Sequence, residues 1–555
     1  MKRLWPLVLS AILITGCSDT RPVTGDLPDA GISDDAESSV DGTTLADGEV
    51  NTVDGPPWAN VYPINPLEDN KTTSKVELKY LNDAEGYLTG LYANTYNCLN
   101  NDKGDKISVD FGGMAFTGKM CEIVKVAQMG ADGSFLHITP STDVDPDDTF
   151  AEVMMYHHVT MAHDLFKERL GLTHMDKPLR SIVNLQAFVD LMNNWMGMVN
   201  AAFVPAQSGN LFASFGVDLN KGEDAIIFIQ GPDRDTAYDA TVIYHEYTHA
   251  MIGMALQGKA TTKYGIDPSP GGLNEGLADY FAASFTGNST VGGYALGGVN
   301  GQRDLERDFS CPNHVVGEVH QDGEIAGGVL WDYRAMVGTD IADKTVANAV
   351  LTFTATTNFE LAAEAILDEL KQLAPEKEAA ARKLFEDRGM IGCVPVIDVT
   401  TSVPTGAIPQ QYPGTATLTT QFKDGAPGYA QYRLKLAATT KELTIEFTPA
   451  EAGGGLIPGM PSAKGNVWVA LKKGSEAISY DYSSGTGIGD YQAVLQGADD
   501  GAGTKLTVSG NCVTEGDLIF QFVSKSLYDG SLGAIKITQS DTVTNAAPNF
   551  DLCGE

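Results

Sequence analysis

The stretch Tyr244-His245-Glu246-Tyr247-Thr248-His249 constrains this chain more than any other. Its flanks, Asp239-Ala-Thr-Val-Ile-Tyr244 and Ala250-Met-Ile-Gly-Met-Ala255, carry apolar residues at helical spacing. On a helix His245 and His249 are i and i+4, so both imidazoles leave from one face and can share one Zn²⁺. Glu246 is one step round, close enough to touch a water on that metal without ligating it. A catalytic zinc site takes three protein ligands and keeps one position open. Asn274-Glu275-Gly276-Leu277-Ala278-Asp279-Tyr280 offers the third in Glu275, which begins a second helical pattern. Asp279 lies one turn on, where a carboxylate can take the outer N–H of a ligating histidine and fix its tautomer. The plain alternative is an amphipathic helix with two satisfied core histidines. The Asn-Glu-Gly-x-x-Asp downstream argues against it.

These residues resemble the gluzincin metallopeptidases, with His245-Glu-Tyr-Thr-His249 and Asn274-Glu-Gly-x-x-Asp279 closest to the thermolysin-like and fungalysin-like branches. The resemblance runs from about 58 to about 393, and Trp58-Ala-Asn-Val-Tyr-Pro-Ile-Asn-Pro66 is similar to the opening of fungalysin-like catalytic regions. It implies an α+β, two-lobed zincin fold with a β-rich first lobe, a helical second lobe and the cleft between them. It also implies one catalytic Zn²⁺ on His245, His249 and Glu275, with Glu246 as general base. Asn200, in Val199-Asn-Ala-Ala-Phe203, matches the edge-strand residue that pairs with the substrate backbone. Val319-His320 resembles the Val-His that donates to the tetrahedral intermediate, with His314 as a rival lacking the flank. Arg303, with Arg307 as the alternative, is the candidate for gripping the substrate carbonyl. The assisting Tyr of thermolysin-like sites has no clear match, Tyr264 being the nearest, which favours fungalysin-like chemistry without it.

With 555 residues the chain has room for two to four domains. A formal net charge of −35 argues against nucleic acid or anionic membrane as partners. Lys2 and Arg3 precede an apolar run, Leu4 to Ile14, too short to span a bilayer. The run ends Ile14-Thr-Gly-Cys17, which resembles a bacterial lipobox and implies lipidation of Cys17. An ordinary secretory signal with an incidental Cys is the alternative, and either address takes the protein out of the cytoplasm. Residues 18–57 are an acidic, aromatic-free tether that cannot bury enough apolar surface to order itself. They are too short for the large prodomain usual in the related precursors. Setting Cys17 aside leaves six cysteines whose connectivity is open. Nearest-neighbour pairing gives Cys98–Cys121, Cys311–Cys393 and Cys512–Cys553, and export makes disulfides the expected state.

Lys75–Tyr80 and Ile107–Phe111 alternate with period two and read as strands. Asp147 to Phe166 reads as a long helix with an acidic first turn. Its His157, His158 and His163 lack a spaced carboxylate and read as core or surface histidines. Asp143, Asp145, Asp147 and Asp148 suit either Ca²⁺ or a helix N-terminus. Residues 341–389 are mostly helical in pattern. From 394 to 555 the chain is rich in Thr, Gly, Ser and Val with alternating runs, such as Leu443–Phe447 and Val467–Leu471, the signature of an all-β sandwich.

The expected protein is a monomeric, exported zinc metalloendopeptidase acting on proteins or peptides, touching a membrane only through its lipid. One alternative is an aminopeptidase on the same core, though no Gly-x-Met-x-Asn-type segment precedes the His-Glu motif. Another is an adhesion or binding lipoprotein whose β module does the work, which the intact ligand set and Glu246 oppose.

Overall fold

The computed structural model describes residues 57–544 apart from 83, 112–113, 142–144, 146, 198, 207–216, 257–259, 298–300, 404–421, 450–466, 496–503, 510–512 and 525–531. The lipobox with Cys17, the tether, Asp143 and the Cys512–Cys553 pair lie outside the described residues.

The first half is organised on a five-stranded mixed sheet. Its strands are β1 (Ala93–Leu99), β2 (Glu122–Val124), β3 (Leu179–Leu185), β4 (Asn200–Val204) and β5 (Ala225–Ile229), in the order β4-β5-β3-β1-β2. The central strands β5, β3 and β1 are parallel, and β4 runs antiparallel along one edge. Every residue of β3 and β5 is buried, as expected of strands covered on both faces. Alternation then divides them: Val183, Ile226 and Phe228 face the helices, while Ile182, Ile227 and Ile229 join a second cluster with Cys98 and Cys121. Cys98–Cys121 is a disulfide. A four-stranded antiparallel sheet stands beside it, built from Lys106–Phe111, Met114–Met120, Ala187–Val189 and Asn194–Met196. The alternating run at 75–80 is shorter than its pattern, pairing only over Ser74–Glu77.

Helix α1 (Phe150–Asp164) crosses the sheet, continuing as a π turn over Leu165–Arg169. Asp148 accepts from the N–H of Phe150 and from the Tyr238 hydroxyl, which agrees with the helix-start reading of that carboxylate. His158 and His163 are core residues, 1% and 3% exposed. His158 is fixed by the Tyr244 hydroxyl at 3.1 Å and the Tyr62 carbonyl at 2.9 Å. Burial pushes its pKa down to about 4. The unfolded chain therefore takes up a proton on this side chain before the folded one does. Stability is complete above the ordinary histidine range and is lost as pH falls towards 4, by roughly 3 kcal/mol. In His158→Gln, thermal melts at pH 7.5 and pH 4.5 should lie closer together than in the wild type.

Helices α2 (Ala240–Ile252) and α3 (Ser269–Thr286) follow, joined through a short hairpin, β6 (Ala260–Thr262) and β7 (Gly265–Asp267). Next come α4 (Val319–Val337), α5 (Thr339–Val350), α6 (Phe359–Leu373) and α7 (Glu378–Asp387), as the helical reading of 341–389 anticipates. One apolar cluster joins the seven described α-helices to the sheet, from Ala59 to Met390, and the Cys311–Cys393 disulfide closes this part of the chain. None of the described helices is long and apolar enough to cross a membrane.

Beyond Cys393 the described residues form strands and no helix. A five-stranded sheet runs in the order Val396–Val399, Ala426–Leu436, Gly516–Ser524, Val467–Lys473, Ala493–Leu495. A four-stranded sheet runs in the order Ser402–Val403, Leu532–Ser540, Glu442–Pro449, Thr504–Ser509. The two share an apolar cluster in which Tyr432, Leu471 and Phe520 meet Ile445, Val508 and Ile537. Alternation turns Ala470 and Ile519 to the opposite face of the first sheet, where they pack with Ile266 of β7.

Candidate metal centre

Helix α2 starts where Asp239 takes the N–H and hydroxyl of Thr241, and stops at Gly253, whose φ is +65°. Both ends are therefore written locally, and between them His245 and His249 fall on one face. Helix α3 starts six residues before Glu275, although its opening Ser-Pro-Gly-Gly has the composition of a loop. Proline is at home in a first helical turn. The glycines serve close packing: a Cβ on Gly276 would lie 2.6 Å from the Gly323 carbonyl oxygen of α4, and one on Gly323 would lie 2.8 Å from Cβ of Glu275. Only bare backbone lets α4 approach this near, which brings its first turn, with His320, against Glu275.

The donor atoms converge. His245 Nε2 lies 3.0 Å from His249 Nε2 and 3.3 Å from Glu275 Oε2, and His249 Nε2 lies 3.7 Å from the same oxygen. A tetrahedral zinc with arms of about 2.0–2.1 Å has edges of roughly 3.3 Å between its ligands, so these three separations outline one face of such a tetrahedron. His245 Nδ1 is 2.8 Å from Asp279 Oδ1, and His249 Nδ1 is 3.3 Å from Asn274 Oδ1. With both Nδ1 positions donating outward, the two Nε2 lone pairs and a carboxylate oxygen face one point. A metal ion at that point satisfies all three donors at once, whereas a proton on one Nε2 satisfies them only in part. All three ligands are buried, and among the described residues they are the one His/Cys/Asp/Glu group able to hold a metal.

The surroundings reinforce the preference. Burial alone would raise Glu275, but His320 and His249 outweigh it and hold the carboxyl well below its ordinary range. Burial alone would lower His245, but Asp279, against Arg303, brings it up to about 9. A proton and a metal thus compete for the same Nε2, and metal binding releases that proton.

The other candidates fall in several places. Glu246 is 6% exposed on α2, next to His245, and makes no hydrogen bond or ion pair among the described residues. His320 Nε2 is 3.6 Å from Glu275 Oε2, and its Nδ1 is 2.7 Å from Glu318 Oε1. Partial desolvation would lower His320, whose side chain is still 43% exposed, but Glu275 and Glu318 raise it to about 9. Arg303 is buried on Asp279 through Nε at 2.6 Å and Nη2 at 2.8 Å. Arg307 reaches Glu324, and His314 stacks on Phe309. Asn200 opens the edge strand β4, paired with Ile229. Tyr264 lies at the tip of the β6–β7 hairpin, where its carbonyl accepts from Gln431 and Gln521. Two supporting residues have no role in the sequence reading, although Asn274 stands within the quoted Asn274-Glu-Gly-x-x-Asp279 motif. Asn274 is adjacent to a ligand, and Glu318 sits at the start of α4, accepting from the Gln321 N–H. The signal for Glu318 is its place two residues before His320, where an acidic helix cap also reaches the imidazole.

A helix pair presenting two histidines and a glutamate in this way, with a second glutamate that has no partner among the described residues, is a group that could hold a zinc ion. Residues 141–375 match the family model of the fungalysin metallopeptidases (M36). The extracellular metalloproteinase mep of Aspergillus terreus is 27% identical over 117 residues, 18% of this chain and 18% of that protein. The match thus spans less than a fifth of the curated relative. Together these findings support a zinc metallopeptidase of the fungalysin-like type.

Proposed function

We propose that this chain is an exported zinc metalloendopeptidase that hydrolyses peptide bonds in protein or peptide substrates. The observation that carries the reading is the tetrahedral spacing of His245, His249 and Glu275, with Asp279 fixing the first imidazole. The catalytic part is residues 58–393, two lobes with the cleft between them, followed by a β-sandwich at 394–555. One apolar cluster beneath the helices and another between the two C-terminal sheets support that division. The A. terreus protein is called extracellular, which favours export. In our reading Cys17 is the lipidated anchor.

A zinc ion held by His245, His249 and Glu275 would supply Lewis acidity and bring the pKa of water towards neutrality. The protein does the rest. Glu246, with no partner among the described residues, takes a proton from the attacking water and passes it to the leaving amine. His320, oriented by Glu318, donates from Nε2 to the carbonyl oxygen as charge develops there. Arg303 has Nη1 without a partner among the described residues, so it can fix Asp279 and still reach a substrate carbonyl. The edge of β4 at Asn200, unpaired among the described residues, receives the peptide backbone as an added strand.

The test is hydrolysis of casein and quenched peptides by the chain without its signal, with and without 1,10-phenanthroline, alongside metal analysis. Zinc near one per chain and cleavage abolished by the chelator are expected. A fully zinc-loaded protein that cleaves no endopeptidase substrate would defeat the assignment.

A further inference from the structure

The two zinc helices are joined by a hairpin whose strands are three residues each. A two-stranded hairpin this short does not hold its shape alone in water. Here it is held by the five-stranded C-terminal sheet and by the Ile478–Tyr482 segment that is hydrogen-bonded to it. Three consecutive carbonyls at its tip are taken up from that side. The Tyr482 hydroxyl donates to Thr262 at 2.8 Å and the Tyr480 N–H to Lys263 at 2.7 Å. The side-chain amides of Gln521 and Gln431 converge on the Tyr264 carbonyl at 3.1 and 3.5 Å. Ile266, 3% exposed, is packed among Phe422, Ile478, Tyr480 and Ile519. At Gly265, whose φ is +119°, an added Cβ would come within 2.8 Å of Pro427, so backbone rests directly on that sheet.

The two glutamines are the unusual feature. Both are fully buried, beside Ile266, Ala470, Ile519 and Val523. Gln431 also brackets Ile478, accepting from its N–H at 2.6 Å and donating to its carbonyl at 2.8 Å. Gln521 accepts from the Tyr480 hydroxyl at 2.8 Å. Burying such amides costs stability unless each polar atom finds its partner, so the network admits one seating of the hairpin and penalises others. The hairpin leads straight into α3. Asp267, its last residue, accepts from the Ser269 N–H that opens α3 at 2.9 Å and from the Asn358 amide at 3.1 Å. Glu275 follows within two turns of that fixed end.

We propose that Gln431 and Gln521 are positioning residues for the metal centre: the five-stranded C-terminal sheet seats the β6–β7 hairpin and thereby sets where α3 places Glu275 against His245 and His249. The β region is then a working part of the peptidase rather than an independent appendage. This rests on the metal-centre reading above, so its primary readout is zinc affinity and not cleavage.

The test uses the chain without its signal and tether. Zinc affinity is measured by competition with a chelating dye, and thermal unfolding is recorded in parallel. The Gln431→Met/Gln521→Met double variant is expected to bind zinc about 10–100-fold more weakly, the range seen when groups supporting metal ligands are removed. On a peptide substrate its kcat should fall more than its KM rises. Tyr482→Phe, which removes one hydroxyl at the hairpin and nothing from the sheet, should show a smaller loss in the same direction and covers the case in which the double variant does not fold. Val508→Ala weakens the C-terminal core away from the hairpin and should leave zinc affinity unchanged. Wild-type zinc affinity in Tyr482→Phe and in the folded double variant would overturn the proposal, as would an equal loss in Val508→Ala. If the wild type binds zinc but cleaves nothing, the endopeptidase reading fails while zinc affinity still decides this one.

Discussion

Glu246→Gln is expected to lower kcat by about 10²–10⁴-fold with zinc still bound at one per chain. The substitution keeps the volume of the side chain and removes only its ability to take a proton. It leaves the contacts of His245 and His249 with Asp279 and Asn274 as they are. Glu246 is buried and makes no hydrogen bond or ion pair among the described residues, so no other part of the fold is arranged to use its charge. Replacing an unpartnered buried carboxylate with an amide should therefore leave the melting temperature unchanged or raise it. Loss of turnover without loss of stability or metal separates a general base from a structural residue. The check is kcat on a quenched peptide, with metal analysis and a thermal melt on the same preparation. Turnover retained in a zinc-loaded Glu246→Gln variant would remove Glu246 from the mechanism.

The legible part of this centre is the part written locally. His245 and His249 are four apart, as are Glu275 and Asp279, and Asp239 and Gly253 mark the ends of their helix; each relation lies within a single turn or cap. The strands of the C-terminal sheets are legible for the same reason, since alternation at Leu443–Phe447 or Val467–Leu471 is a property of a few neighbouring residues. What is not legible is how the elements meet. Asp279 reaches His245 across 34 positions, and Gln521 reaches Tyr264 across 257. Helix α3 begins earlier than its apolar pattern because Gly272 and Gly276 serve the approach of α4, and glycine carries no periodic signal. The hairpin Ala-Thr-Thr-Lys-Tyr-Gly-Ile-Asp has neither amphipathic period nor length. Its conformation comes from the sheet it rests on, which is why Tyr264 could be weighed for a place in the site while its carbonyl is engaged on the C-terminal side.

Arg303→Met is expected to be the most destabilising single change near the site, by about 3–5 kcal/mol, because it strands a charge rather than merely deleting a contact. Asp279 is fully buried. Burial works to raise its pKa, and Arg303 with His245 overcomes that and holds it below the ordinary carboxylate range. With the guanidinium gone, Asp279 keeps only His245, and the carboxylate must take a proton or remain uncompensated. Either outcome weakens its hold on His245 Nδ1, so zinc affinity should fall about 10–100-fold as well. Arg303→Lys would not restore the pair, since an ammonium cannot reproduce the two-point contact made through Nε and Nη2. The decisive comparison is with Arg303→Met/Asp279→Asn, which removes both charges together. If the first loss comes from a stranded carboxylate, denaturant melts of the double variant should recover most of the stability. Its zinc affinity should stay low, because an asparagine supports the imidazole without the charge. Equal stability of Arg303→Met and the wild type would show that the guanidinium is not needed to hold Asp279. Its place at the centre would then rest on substrate contact alone, and a raised KM at unchanged zinc affinity would be the signature to look for.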